Sequence, residues 1–173
     1  VEFPFLGSDT SLHLNGDASN GRGILQTNYL NNISSTGTLD LNGGILRADG
    51  DQADFLQGFG TVQLGANGVV FDTNGANIGV STAFSSASGQ SSGLTKQGLG
   101  TLTLTGASSY TGGTKVSAGT LQLGDGGSTG ALNSTSGIAI ASGATLAFNR
   151  GDSGLTITVP ITGAGQVAQQ GSG

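Results

Sequence analysis

The sequence contains no cysteine, no methionine and no tryptophan, and only two prolines. The lack of cysteine excludes a disulfide framework, a thiolate metal site and a cysteine nucleophile. Charge is also scarce, at 9% of residues, and the net charge is −5. Five basic residues, Arg22, Arg47, Lys96, Lys115 and Arg150, are scattered along the chain. Contact with phosphates needs clustered Lys and Arg, so no nucleic acid is expected as a partner. No apolar run approaches the roughly 20 residues of a helical membrane span, so none is expected in this segment. There is one glutamate, Glu2, and one histidine, His13.

Glycine is what the chain has in abundance, with 34 among 173 residues. It follows no three-residue period, which excludes collagen. Solvated disorder requires high charge and few apolar groups, and this chain has the reverse. A folded protein with many tight turns remains, long enough for one domain with a substantial core.

The turns separate copies of one short pattern, Gly-Thr-aliphatic-polar-aliphatic. It occurs as "GTLDLNG" (37–43), "GTVQLG" (60–65), "GTLTLTG" (100–106) and "GTLQLG" (119–124). Looser versions are "SLHLNG" (11–16), "GIAIASG" (137–143), "GATLAFNRG" (143–151) and "GLTITVPITG" (154–163). Strict alternation with frequent Thr and Val reads as half-buried strands, and the density of glycine leaves no room for a helix.

Leu39, Val62, Leu102 and Leu121 open the four best matches, separated by 23, 40 and 19 residues. "GVSTAF" (79–84), with Val80 and Phe84, lies near the middle of the long gap. A step of roughly 20 residues is that of one coil of a β-solenoid, in which each turn contacts only its neighbours. Stacking would place Leu39, Val62, Leu102 and Leu121 in one inward column, with Leu41, Leu64, Leu104 and Leu123 in the next. Asp40, Gln63, Thr103 and Gln122 would point outward. The expected fold is thus all-β, a β-solenoid of about eight or nine coils and a rod on the order of 40 Å long. A β-sandwich also has short strands and regular turns, but gives no reason for one motif to return with the same opening.

The stretch "GLTKQGLGTLTLTGASSYTGGTKVSAGTLQLG" (93–124) resembles the autotransporter-associated β-strand repeat, also called the passenger-associated transport repeat. Leu94, Thr95, Lys96, Gly98, Gly100, Thr101, Leu102, Leu104 and Gly106 carry the first half of the likeness. Tyr110, Thr111, Gly112, Gly113, Thr114, Val116, Gly119, Thr120, Leu121, Leu123 and Gly124 carry the second. "FGTVQLGANGVVFDTNG" (59–75) looks like a preceding coil. The resemblance implies a right-handed parallel β-helix in the exported part of a large bacterial surface protein. The implied location is extracellular or at the bacterial cell surface.

The opening "VEFPFLG", without an initiator methionine, and the end "VAQQGSG" lead to the expectation that 1–173 is a single solenoid segment of a longer chain. Joined, the ends read "QQGSGVEFPFLG", which parallels "KQGLGTLTLTG" at 96–106. The expected partners are neighbouring solenoid units of the same protein, including head-to-tail self-association into a filament.

Candidate sites are few. "GDSGL" (151–155) imitates a serine-protease nucleophile, but a triad needs a histidine base with an orienting carboxylate. His13 sits between Leu12 and Leu14 and should face solvent, while Asp152 and Ser153 are ordinary turn residues. Asp49, Asp51 and Asp54 cluster beside Gly50, as weak calcium sites can, without EF-hand spacing. Thr101, Thr103 and Thr105 form a threonine row, but the matching positions Asp40, Gln63 and Gln122 do not extend it as an ice-binding array would. Asp40 could project outward near Arg47, with no repeated acid beside it to make a glycosidase pair. Tyr29 and Tyr110 are the only residues suited to stacking on sugars, and Tyr110 belongs to the repeat. Phe55, Phe59, Phe71, Phe84 and Phe148 read as core or end-fill.

These readings assign no catalytic, cofactor-binding or metal residue and call for no cofactor. The expected role is non-enzymatic: a stalk, spacer or fibre-forming unit. The alternatives are an adhesin or glycan-binding surface and a polysaccharide-active β-helix enzyme.

Overall fold

A computed structural model describes residues 11–17, 21–32 and 37–173. Every described element is a strand, and nearly all pair in parallel. Each turn of chain lays down strands on up to three faces. The first face is a seven-stranded sheet built from Ile24–Thr27, Ile45–Ala48, Val69–Asp72, Leu94–Gln97, Thr114–Val116, Ile138–Ile140 and Ile161–Gly163. Seven strands make six stacking steps, so the solenoid has about six turns. At about 4.8 Å per step the rod is about 29 Å long.

The second face runs through Ile78–Val80, Thr101–Leu104, Thr120–Leu123, Thr145–Phe148 and Gln166–Gln169. It continues toward the N-terminus through the short pair Leu30–Asn31 and Leu56–Gln57, since Phe55 N–H donates to Gly79 O at 2.8 Å. The third face holds Ser11–Asp17, Thr38–Asn42, Thr61–Leu64 and Phe84–Ser86, followed by Ala107–Ser108 and Ala131–Leu132. Ser109 N–H donates to Phe84 O at 2.7 Å and links these two groups of strands.

The parallel β-solenoid is as expected, but its coil count and column assignment need correction. There are about six turns, not eight or nine, and the steps run from 19 residues (Leu102 to Leu121) to 27 (Leu12 to Leu39). The recurrent motif, with its looser versions, occupies all three faces, Ile138–Ile140 of "GIAIASG" lying on the first, so counting motifs overcounts coils. Leu39 and Val62 stack with Leu12 and Phe84 on the third face. Leu102 and Leu121 stack with Ile78 and Leu146 on the second. "GVSTAF" joins the two, with Val80 beside Leu104 and Phe84 beside Val62. Residues 155–159 of the looser match "GLTITVPITG" join no sheet, and only Ile161–Gly163 pairs.

The buried aliphatic columns form one core, in which Leu39, Leu41, Leu46, Leu64, Leu102, Leu121, Leu123 and Leu146 are wholly inaccessible. Phe71 lies near its centre, 6.5 Å from the Phe55 ring and 5.7 Å from the Phe84 ring. Phe59 is buried too, whereas Phe148 is half-buried and lines a concavity of about 300 Å³ with Leu155 and Ile157. Gln166–Gln169 lies on the second face, while Leu94–Gln97 lies on the first. The likeness of "QQGSG" to "KQGLG" is therefore out of step by one face, and residues 1–10 lie outside the described residues.

Truncating Phe71 should leave a cavity between two rings. Phe71→Ala is expected to cost about 3–5 kcal/mol of unfolding free energy, against under about 0.5 kcal/mol for the exposed Ile24→Ala. Chemical denaturation of the two variants beside the parent checks this.

Candidate functional site

The first-face column through the core reads Leu46, Phe71, Lys96, Val116 and Ile140. A lysine thus interrupts it, fully buried. A buried ammonium is costly unless its three N–H donors are met. Lys96 Nζ donates to Gly98 O at 2.7 Å, Gln97 O at 3.1 Å and Ala118 O at 3.1 Å. The last of these belongs to the next coil, so the side chain ties two corners together. Room for the ammonium comes from Gly119, at φ +63°, where a methyl group would fall on Gly98 O and Gly100 O and within 2.9 Å of Nζ. Burial lowers the Lys96 pKa to about 8, against a smaller opposing pull from the Asp72 carboxylate.

A second polar chain closes the other side of the same turn. The Tyr110 hydroxyl and Thr114 Oγ1 are 2.6 Å apart, and Thr114 Oγ1 and Thr135 Oγ1 are 3.0 Å apart. Thr135 Oγ1 donates to Gly112 O at 2.8 Å. Each hydroxyl has one proton, so this carbonyl acceptor fixes the direction: Tyr110 donates to Thr114, and Thr114 to Thr135. Burial raises the Tyr110 pKa well above the usual phenol value, and its bond to Thr114 offsets only part of the effect. Buried Thr73 and Ser92 do similar work, donating to Leu99 O at 2.6 Å and Leu64 O at 2.7 Å.

On the outside, ionic groups also join coil to coil. Arg47 Nε donates to Asp72 Oδ2 at 2.9 Å, and Gln97 reaches the same oxygen from the next coil at 3.4 Å. Burial pushes the Asp72 pKa up, but the bonds from Arg47, Asn74 N–H and Gln97 outweigh it, and the net shift is downward.

The sequence candidates are dispersed. Asp49 accepts from Gln26, Asp51 from Asn77 N–H, and Asp54 from Ser81 N–H and Oγ. Each carboxylate bonds a separate residue, and they form no shared cage. Asp152 holds Arg150 through two bonds of 2.8 and 2.7 Å, which lower the carboxyl pKa. Ser153 is exposed in the C-terminal coil, whereas His13 lies on the N-terminal strand and pairs with Asp40 at 3.0 Å. Asp40 therefore joins His13 while Arg47 joins Asp72. Tyr110 is buried and offers no sugar platform, and Tyr29 is half-buried.

One broad concavity of about 470 Å³ opens on the outer side of the second face. Its rim carries Asp54, Asn77, Ser81, Gln122 and Asp125, and Thr103 lies beside Gly79 within it. It offers hydroxyl and amide groups with two carboxylates and no cation.

The structural class is a β-solenoid whose repeated coils are pinned by buried polar groups at their corners. Residues 94–123 match the passenger-associated-transport-repeat family. No curated protein and no solved structure matches the chain. The matched segment contains Lys96, Tyr110 and Thr114, the residues that bind its corners.

Sequence reasoning passed over Lys96, Thr114, Thr135, Ser92, Thr73 and Arg150 as internal groups. Alternation did hold the signal for Lys96, since an inward Leu94 places the residue two positions later on the same side.

The lowered Lys96 pKa has a definite sign in folding. Below about pH 8 the native state bears the full cost of the buried charge. From there to the ordinary value of 10.5 the native state has lost a proton that the unfolded chain retains, so stability rises with pH. Relative to Lys96→Met, the parent should gain about 2 kcal/mol between about pH 7 and about pH 9.5. Parallel denaturation curves at the two pH values give this difference directly.

Proposed function

We propose that this chain is a non-enzymatic structural segment of a secreted or cell-surface bacterial protein, serving as a rigid spacer. The observation that carries the reading is the continuous stack: one core from end to end, with each turn fastened to the next by strand pairing and corner bonds. The passenger-repeat match supports export, and its matched residues are engaged in holding coils together. The carboxylates Asp40, Asp49, Asp51, Asp54, Asp72 and Asp152 are bonded to separate neighbours, which favours a scaffold over a facing acid–base pair.

A second reading, a saccharide-binding surface, is favoured by the polar concavity on the second face. Its chemistry suits neutral or amino sugars. A glycan array should show binding that Gln122→Ala weakens at least about tenfold, the scale of losing more than one hydrogen bond. An array without hits removes this reading.

The spacer reading has a direct test, made simple by the absence of native cysteine. Ile24 and Thr162 are exposed and lie in one outward column, six register steps apart. Spin labels on Ile24→Cys and Thr162→Cys should give one narrow distance distribution, centred near about 29 Å plus the reach of the labels. A broad or multimodal distribution would overturn the rigid-spacer reading.

A further inference from the structure

The concavity on the outer side of the second face lies within the rod, with described coils on both sides of it. Its shape follows from the register. Gly79, Thr103 and Gln122 form one outward column, and Gly79 has no side chain to fill it. A methyl group there would fall on Ala53 O, so only glycine fits and the floor stays open. Two positions along the strands, Asn77 flanks this column on one side and Ser81 and Thr105 on the other.

The polar groups of this concavity differ from others on the exterior. Gln26, Arg47, Asn67 and Gln97 each bond a side chain of a neighbouring coil. In the concavity, the side chains of Gln52, Thr103, Thr105 and Asn149 bond no described residue, and neither do Asn77 Nδ2 and Gln122 Oε1. Asp54 and Asp125 add two carboxylates, and no described Lys, Arg or His lines the site. Asp54 accepts from Ser81 N–H and Oγ at 3.3 and 3.0 Å. Asp125 Oδ1 accepts a single long bond of 3.4 Å from Gly127 N–H, and its Oδ2 accepts none. Arg150, next to Asn149 in the chain, is turned to Asp152 and Gly130 O. The negative charge is therefore uncompensated within the concavity. The coils carrying Asp54 and Asp125 are three register steps apart, from Gln52 through Ile78 and Leu102 to Leu121. That is about 14 Å along the axis.

We propose that this concavity binds a linear oligomer of amino sugars bearing free amines, laid along the rod axis. A 1,4-linked hexosamine advances by close to one strand spacing per residue, so successive sugars meet successive coils. Sugar hydroxyls pair with the unbonded hydroxyl and amide groups of Asn77, Thr103, Thr105 and Gln122. Ammonium groups at the two ends of the bound stretch meet Asp54 and Asp125, where charge strengthens each hydrogen bond. A neutral sugar would cover both carboxylates without supplying a counter-charge, which costs affinity. A simple polyamine would supply the charge but leave the hydroxyls and amides between the carboxylates without partners. No aromatic ring lines the site, so a single sugar has nothing to stack on and binding depends on oligomer length. This inference deepens the saccharide-binding reading by naming the class of sugar, and it rests on that reading.

Titration calorimetry with glucosamine oligomers of increasing length, their N-acetylated counterparts and spermine tests it. Affinity for the free-amine series should rise up to about four residues, the length that spans the two carboxylates, and then level off. The acetylated tetramer should bind at least about tenfold more weakly, the scale of one hydrogen bond to a charged group. Asp125→Asn should weaken the free-amine tetramer about tenfold and leave the acetylated one unchanged. Asp125 is exposed, so circular dichroism and unfolding of the variant should match the parent. Asp49→Asn removes the same charge outside the concavity and should bind like the parent. Equal binding of spermine and the free-amine tetramer overturns the proposal, as does an equal loss in Asp49→Asn and Asp125→Asn. Acetylated oligomers bound as tightly as free amines overturn it and leave the saccharide-binding reading intact. A chain that binds neither series removes both.

Discussion

Parallel strands stacked in register about 4.8 Å apart impose the constraint on which the rest of this structure depends. Every inward position must share its column with the residues directly above and below it. Aliphatic side chains meet that demand easily, because leucine over leucine fills a column without polar debt. The outward positions carry no such demand and vary among Asp, Gln, Thr and Gly. Corners are harder, since there the backbone leaves the sheet and its carbonyls need donors. Much of the unusual chemistry of this chain lies at those corners.

The matched repeat coincides with the shortest turns. Leu102 to Leu121 spans 19 residues and Leu94 to Thr114 spans 20, where the other first-face steps run from 21 to 25. A shorter turn has less corner backbone with which to satisfy its own carbonyls. Lys96 and the Tyr110–Thr114–Thr135 series supply side-chain donors at that place. The lysine is the more demanding solution, because its charge is buried along with its donors. An aliphatic residue would fit the column but leave Gly98 O and Ala118 O without this donor. The glycine at 119 completes the arrangement by leaving the ammonium its space.

How much of this was legible in the sequence differs by level. The solenoid could be read because alternation in "GTLTLTG" and "GTLQLG" fixes both strand and buried side, and the structure pairs Leu102 with Leu121 and Leu104 with Leu123. The coil count could not be read from the motif, because a second-face strand and a third-face strand obey the same alternation. Leu39 and Leu102 look equivalent in sequence and lie on different sheets. Only corner lengths separate them, and those vary with loops that carry no periodic signal. The internal roles of Lys96 and Thr114 were hidden for another reason: residue type argues for the surface, while position in the alternation argues for the core. Position prevailed because local carbonyls accept from Lys96 and the Tyr110 and Thr135 hydroxyls pair with Thr114. The dispersal of Asp49, Asp51 and Asp54 was also beyond sequence reading, since their partners come from neighbouring coils 23 to 27 residues away.

The stacking rule that makes a good rod also makes its two ends unlike. In a closed barrel every edge finds a partner, whereas a solenoid always has a first and a last coil with unpaired strand edges. The strands all run in one direction, so one end presents the lower edges of three sheets and the other the upper edges, and neither end can pair with itself in the same sense. Val167 and Ile161, in the last described coil, are exposed, whereas their register partners Leu146 and Ile138, with a further coil stacked on them, are buried, so closing a column to solvent takes a coil on both sides.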